Sequence, residues 1–248
     1  MKRIELLGYP MDSATMTETV DSIRGRLASG VFTQHCVVNV AKLVNMNTNS
    51  DLANSVSTCD IINIDGMGVV WGARILGKKV PERVAGVDLF DRLLHLSAQQ
   101  GYPVFLLGGT DVVVERTAQV VTQRYPTLRL AGYSDGYFWG NEECVVSTIR
   151  NSGARLLFVA ITSPKKENFI NKWKGELGVD FVMGVGGTFD VVAGKVRRAP
   201  KWMQRNGLEW LFRVIQEPKR MWRRYLVTNI QFAFMIGKAY LSSRRTSI

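Results

Sequence analysis

Short apolar runs alternate along this 248-residue chain with segments of helical period, and that alternation confines it to one class of architecture. Ile4–Leu7, Cys36–Asn39, Ile61–Ile64, Pro103–Leu107, Leu128–Ala131, Leu156–Ala160 and Phe181–Val185 read as strands. Between them, Thr17–Ala28, Gly86–Gln99, Val112–Arg124, Asn141–Asn151 and Lys165–Lys174 read as helices. Strand and helix in turn build a mostly parallel sheet with helices on both faces, a Rossmann-like α/β fold. Blunt apolar strands such as LLFVA at 156–160 fit burial on both sides. After Pro200 the strand pattern stops. Lys201–Ser243 reads as two or three helices broken near Asn206-Gly207 and Glu217-Pro218. The expected organisation is an α/β body over 1–200 and a basic, amphipathic helical appendage over 201–248.

Charge divides at nearly the same place. From Lys195 to Ile248 there are 13 basic residues and 2 acidic ones, while the preceding residues balance, so the net charge of +11 resides in the tail. A basic, aromatic tail on a neutral body points to a polyanionic partner: nucleic acid, an anionic membrane face or a phosphorylated substrate. At 46% hydrophobic and 21% charged, the chain is not of a disordered class. Three cysteines without a CxxC pair, and only His35 and His95, supply neither a disulfide framework nor a zinc pattern, and suit a reducing cytoplasm. No stretch of about 18 apolar residues marks a membrane span. The opening MKRIELLGYPMDS reaches Asp12 without the apolar run of a signal peptide. Contact with a membrane would therefore be along its surface.

In doubly wound sheets ligands bind at the carboxyl ends of the strands. Asp65 follows IINI and precedes Gly66, where an acid acts as a base or binds a hydroxyl pair, or else caps the helix starting near Met67. Gly108 and Gly109 let backbone amides approach a phosphate, or make a plain turn. Gly184, Gly186 and Gly187, followed by Phe189-Asp190, are denser than a plain turn needs and read as a ligand loop. Ser163-Pro164 reads as a helix cap followed by the first helical residue. Lys165 and Lys166 then add positive charge beside that helix start, either for an anion or as a solvated first turn. Arg83 alone says little. In the tail, Arg213, Lys219, Arg220, Arg223 and Arg224 are interleaved with Trp210, Phe212, Trp222 and Tyr225. Arginine forks match phosphate, and aromatics suit a membrane interface or a base stack. The plainer alternative is a basic helix solvated on one face and packed on the other. A dinucleotide enzyme would need GxGxxG after its first strand, and LLGYPMDSA at 6–14 lacks it.

Taken together, INIDGMGVVWGAR, ERVAGVDL, FLLGG, SPKKENF, GVGGTFDVVAGKVRRAP and GLEWLFRVIQEPKR resemble the bacterial WecG/TagA/CpsF glycosyltransferases, glycosyltransferase family 26, in order from about Leu7 to Tyr225. The resemblance implies transfer of a sugar (N-acetylmannosamine, its uronic acid or a hexose such as glucose) from a UDP-sugar. The acceptor would be a sugar on undecaprenyl diphosphate, at the cytoplasmic face of the bacterial inner membrane, in cell-surface polysaccharide or teichoic acid assembly. It implies inversion, no metal and no cofactor. Asp65 is then the expected base and Arg83 its catalytic companion. Asn39, Gly108, Gly109, Ser163, Lys166, Gly184, Gly186, Gly187 and Asp190 are the expected nucleotide-sugar contacts. Arg213, Arg220, Arg223 and Arg224 are expected at the lipid diphosphate or leaving group. Expected partners are the two substrates and an anionic membrane surface, not nucleic acid, with a homo-oligomer left open. A nucleic-acid-binding protein using the basic tail is the alternative. The chain departs from the family pattern at Thr162 and Lys166, where many members carry Gly and Gln, and at Val37, where some carry Thr.

Overall fold

A computed structural model describes residues 1–245, without the side chains at 220, 224 and 243–245. The elements run β1 (Lys2–Leu6), β2 (Tyr9–Ser13), α1 (Met16–Ala28), β3 (Thr33–Val38), α2 (Val40–Met46), α3 (Ser50–Ser57), β4 (Ile61–Ile64), α4 (Met67–Ile75), α5 (Gly86–Gln100) and β5 (Val104–Gly108). They continue with α6 (Asp111–Arg124), β6 (Leu130–Ser134), α7 (Glu142–Asn151), β7 (Leu156–Ala160), α8 (Lys165–Trp173), β8 (Phe181–Gly184), α9 (Thr188–Val192), α10 (Lys201–Arg205), α11 (Glu209–Gln216) and α12 (Pro218–Arg245). The strands form one eight-stranded sheet in the order β1-β2-β4-β3-β8-β7-β5-β6. Only the β1–β2 pair is antiparallel. Two half-sheets therefore meet where β3 lies beside β8, with Thr33 opposite Phe181 and His35 opposite Met183.

Period-two alternation assigns each strand's side chains to the two faces. Leu156, Phe158, Phe181 and Met183 point to one side and join the core under α1, α5, α6 and α9. Leu157, Val159 and Val182 point to the other, under α7 and α8. On that second face the first half-sheet carries α2, α3 and α4. Every parallel strand thus ends at one common edge, which displays Asn39, Asp65, Gly109, Ile161 and Val185 just beyond the last strand residues.

Some sequence expectations shift. Strand β2 escapes the apolar pattern because YPMDS is short and contains Pro10, yet it pairs residue by residue with β1. The strand expected at Leu128–Ala131 starts instead at Leu130, because the Leu128 amide closes a turn on the Tyr125 carbonyl. Helices α2 and α3, of seven and eight residues, are too short for a 3.6-residue period to repeat clearly. Each begins at an asparagine: Asn39 Oδ1 accepts from the Lys42 amide at 2.9 Å, and Asn49 Oδ1 from the Leu52 amide at 2.8 Å. Ser163 is not a helix cap. Helix α8 starts one residue later than that reading requires, Pro164 occupies the cap position, and no side chain caps it.

The breaks expected at 206–207 and 217–218 separate α10, α11 and α12. Helix α12 does not stand away from the body, since Phe232 and Ile236 are 7% and 5% exposed within the core of α2, α4 and β4. Burying two such side chains contributes about 1.5–3 kcal/mol each. Their seat is Gly72 on α4: a Cβ there would fall 2.7 Å from the Phe232 ring tip and 2.9 Å from Ile236 Cδ1. Gly72→Leu is expected to lever α12 off the body, at the 1–3 kcal/mol typical of overpacking. Trypsin cleavage between Lys201 and Lys238 should then accelerate by about 10- to 100-fold. Equal cleavage rates would show that the seat of α12 does not depend on Gly72.

Candidate active site

Helices α11 and α12 roof the carboxyl edge of the first half-sheet, and a cavity of about 680 Å³ lies beneath them. One end is polar, formed by Asn39, Asp65, Arg83, Arg198, Glu209 and Arg213. The other is apolar, walled by Trp71 and Ile75 of α4 and by Phe232, Ala233 and Ile236 of α12. A smaller pocket of about 90 Å³ adjoins it through Arg213 and Met221, and Gly187, Asp190 and Lys195 line it.

The polar end is assembled from backbone outwards. The Asp65 amide donates to the Val38 carbonyl at 2.9 Å, which prolongs the β3–β4 ladder by one residue. Gly66 then turns the chain at φ 103°, a left-handed conformation that glycine adopts without strain, and serves as the N-cap of α4. Asp65 therefore does not cap α4, and its carboxylate is turned towards the cleft, where Oδ2 accepts a long hydrogen bond from the Gly86 amide, the first of α5, at 3.4 Å. The Val84 amide donates to the Ile64 carbonyl at 2.8 Å, and this contact sets Arg83 beside Asp65.

Charges alternate outwards from there. Arg83 Nη1 lies 2.9 Å from Glu209 Oε2, and Arg198 Nε lies 3.7 Å from Glu209 Oε1. Arg198 also forks Asp88, with contacts of 2.6 and 2.7 Å. Burial raises the Asp65 carboxyl above its ordinary value; Arg83 opposes this, Glu209 reinforces it, and the Gly86 amide and Arg213 pull it back. Among the described residues, no group of three or more His, Cys, Asp or Glu side chains converges as a metal site would need.

The profile of the Glycosyl transferase WecG/TagA/CpsF family matches residues 4–246. The chain belongs to this family. It is similar to the N-acetylglucosaminyldiphosphoundecaprenol N-acetyl-beta-D-mannosaminyltransferase of Bacillus spizizenii, 39% identical over 171 residues, or 69% of this chain and 66% of that protein. It is also similar to the protein of the same name from Bacillus subtilis, 35% identical over 176 residues, or 71% and 68% of the two chains. The matched stretch thus spans about two thirds of each relative's length.

In this WecG/TagA/CpsF chain the sequence-predicted residues fall into three groups. Asn39, Asp65, Arg83 and Arg213 come together around the main cleft, while Gly187 and Asp190 line the side pocket, where Asp190 pairs with Lys195 at 3.3 Å. The other described ones, Gly108, Gly109, Ser163, Lys166, Gly184, Gly186 and Arg223, line neither cavity. Gly108 and Gly109 have a packing reason: a Cβ on Gly108 would meet the Ala160 carbonyl oxygen at 2.5 Å, and the Gly109 amide donates to that carbonyl. Gly184 is pressed on by the Lys166 stem, and Gly186 forms the left-handed step of the following loop at φ 54°. Ser163 Oγ is buried without a hydrogen-bond partner among the described residues.

Lys166 is neither a solvated first-turn lysine nor exposed to an anion in solution. Its Nζ lies 2.6 Å from Glu167 Oε1, which Lys42 reaches at 2.8 Å, and all three side chains are buried. Burial lowers Lys166 to about 8, with the nearby Lys42 charge adding to the effect and Glu167 opposing it. Arg223 is exposed on α12. The side chains of Arg220 and Arg224 lie outside the described residues.

Residue-by-residue reading missed Arg198 and Glu209. Both sit inside stretches that carry the family resemblance, GKVRRAP and GLEWLFR, but nothing local distinguished them from solvated surface charge. Because burial penalises the charged form of Asp65, its folded pKa exceeds the unfolded one, and the protein loses stability as pH rises through that interval. Asp65→Asn should therefore melt at or above the wild-type temperature at neutral pH. A fall of several degrees would show that the carboxylate stabilises the fold.

Proposed function

We propose that this chain transfers N-acetylmannosamine, its uronic acid or a related hexose from a UDP-sugar to a sugar carried on undecaprenyl diphosphate, by one inverting displacement that needs no metal ion. The observation that carries the reading is the main cleft, in which the Asp65 carboxylate, three arginines and a long apolar wall meet. The names of the two Bacillus relatives supply the acceptor class and the first choice of sugar. In the reaction, Asp65 accepts the proton of the acceptor hydroxyl as that oxygen bonds to the anomeric carbon. The bond from that carbon to the diphosphate breaks, and its electron pair leaves on UDP. Arg83, Arg198 and Arg213 offset the charge that grows there, and cations already fixed in place act strongly on such charge. Asn39 and the side pocket of Gly187 and Asp190 are assigned to the nucleotide-sugar. The Trp71–Ile75–Phe232–Ile236 wall is assigned to the start of the lipid.

The test is a panel of labelled UDP-sugars with a short-chain N-acetylglucosaminyl diphosphate lipid, with and without EDTA. Transfer from one donor, unaffected by EDTA and with the anomeric configuration inverted, is expected. Asp65→Asn should lose about 100-fold or more in kcat. The acid limb of wild-type kcat/KM should lie above the ordinary Asp range of about 3.9. No transfer to this or other lipid-linked sugars, or an Asp65→Asn enzyme with full turnover, would overturn the assignment.

We also propose that the appendage holds the enzyme on the cytoplasmic membrane face. No helix among the described residues is long and apolar enough to cross a membrane. Trp222, Leu226, Ile230 and Phe234 recur every fourth residue on the outer face of α12, each more than half exposed. Such a stripe, in a tail rich in Lys and Arg, suits an anionic interface better than a nucleic acid, which would call for a basic face. Ile230→Ser with Phe234→Ser should reduce co-sedimentation with phosphatidylglycerol vesicles by about tenfold or more while leaving the melting temperature unchanged. Undiminished binding would remove the stripe from the interface.

A further inference from the structure

Glu209 is the first residue of α11, and its carboxylate is largely shielded, at 17% exposure. It points back from the roof into the body. One oxygen lies 2.9 Å from Arg83, on the loop before α5, and the other 3.7 Å from Arg198, on the segment after α9. Arg198 is itself fixed by its fork on Asp88 in the first turn of α5. Arg83 thus stands between two carboxylates, Asp65 of the sheet edge and Glu209 of the roof. How much of its charge reaches Asp65 depends on where Glu209 holds it.

We propose that Glu209 is a positioning residue for the reaction: by bridging Arg83 and Arg198 it fixes the Arg83 guanidinium relative to Asp65 and fastens α11 across the cleft. This rests on the glycosyl-transfer reading above and adds a role to it. A shielded ion pair of this kind is costly to leave half-made, so removing the Glu209 charge frees Arg83 to re-aim towards Asp65, whose charge it already faces, while Arg198 stays on its Asp88 fork. Among the described residues, the charged groups that face Asp65 are Arg83 from the α5 approach and Glu209 and Arg213 from α11, with the Arg198–Asp88 pair one step further out. Tyr225 and Tyr240 reach the cleft from α12. Of these, Glu209 is the carboxylate that keeps Asp65 basic, while Arg83 and Arg213 act the other way.

The experiment compares wild type, Glu209→Gln and Glu209→Asp. For Glu209→Gln the expected result is a kcat lower by about 10- to 100-fold with a smaller change in KM, and an acid limb of kcat/KM moved to lower pH. Glu209→Asp, which keeps the charge on a shorter arm, should recover part of the kcat and restore the limb. A purely structural glutamate would lower activity without moving the limb. Two further readouts do not depend on turnover: carboxyl ¹³C titration of Asp65, assigned through Asp65→Asn, and the trypsin sensitivity of the chain beyond Lys201. Glu209→Gln should lower the Asp65 titration and expose that segment. If wild type transfers no sugar yet both readouts move, the reaction assignment fails and the positioning of Arg83 stands. If Glu209→Gln keeps wild-type kcat, or neither the limb nor the Asp65 titration moves, the proposal is overturned. Should Glu209→Gln not fold, Arg198→Gln, which removes the second anchor of Glu209, is measured by trypsin sensitivity alone: faster cleavage beyond Lys201 supports the fastening by Glu209, and an unchanged rate overturns it.

Discussion

Everything at the polar end of the cleft depends on the seating of α12 on α4. Phe232 and Ile236 occupy the space a side chain at position 72 would take, and that close approach brings the roof down over the carboxyl edge of β3 and β4. Without a roof, Asp65 would be a solvated carboxylate at a strand end, with an unremarkable affinity for protons. Under it, burial shifts Asp65 upward, and the guanidinium and carboxylate groups around it act across a medium poorer in water than the surface. The long-range contact of two apolar side chains thus sets the electrostatics of a carboxylate to which neither is bonded.

The sheet edge and the roof also divide the chemical tasks. Residues of the body arrive by backbone pairing: Asp65 through its amide on Val38, and Arg83 through the Val84 amide on Ile64. Residues of the roof arrive by side-chain contact, Glu209 on Arg83 and Arg198. The first kind of placement is rigid, because it prolongs the sheet. The second can be made and broken, because it rests on ion pairs between elements that do not share a ladder. The alternation of positive and negative groups from Asp65 out to Asp88 leaves no charge isolated along this path.

Much of this architecture was legible in the residues. Apolar strands with a period of two and helices with a period near 3.6 announced the parallel sheet, and Gly207 and Pro218 marked the breaks in the tail. Asp65 was legible because an acid followed by glycine at a strand end has few roles, and the capping role required a hydrogen bond that the structure does not make. What stayed hidden was relational. Asn39 and Asn49 start helices too short for a period to repeat, although an asparagine three residues ahead of the bonded amide is the available signal. Gly108 was open to a phosphate approach or a plain turn, and its close contact with the Ala160 carbonyl across the sheet is not written in the local sequence. Lys166 looked like a surface charge but lies in a buried cluster with a residue 124 positions away, and no local pattern carries that information.

Helix α12 has 28 residues, which at 1.5 Å per residue makes a rod of about 42 Å. It is clamped to the body by Phe232 and Ile236, while Met221, some eleven residues earlier, borders both cavities. The distance from clamp to Met221 is therefore about 16 Å, long enough for the helix to act as a lever. A tilt of about 5° at the clamp moves the other end by roughly 1.4 Å, which is comparable to the misplacement that costs an active site two orders of magnitude in rate. Whatever presses on the outer face of this helix sets the geometry on its inner face.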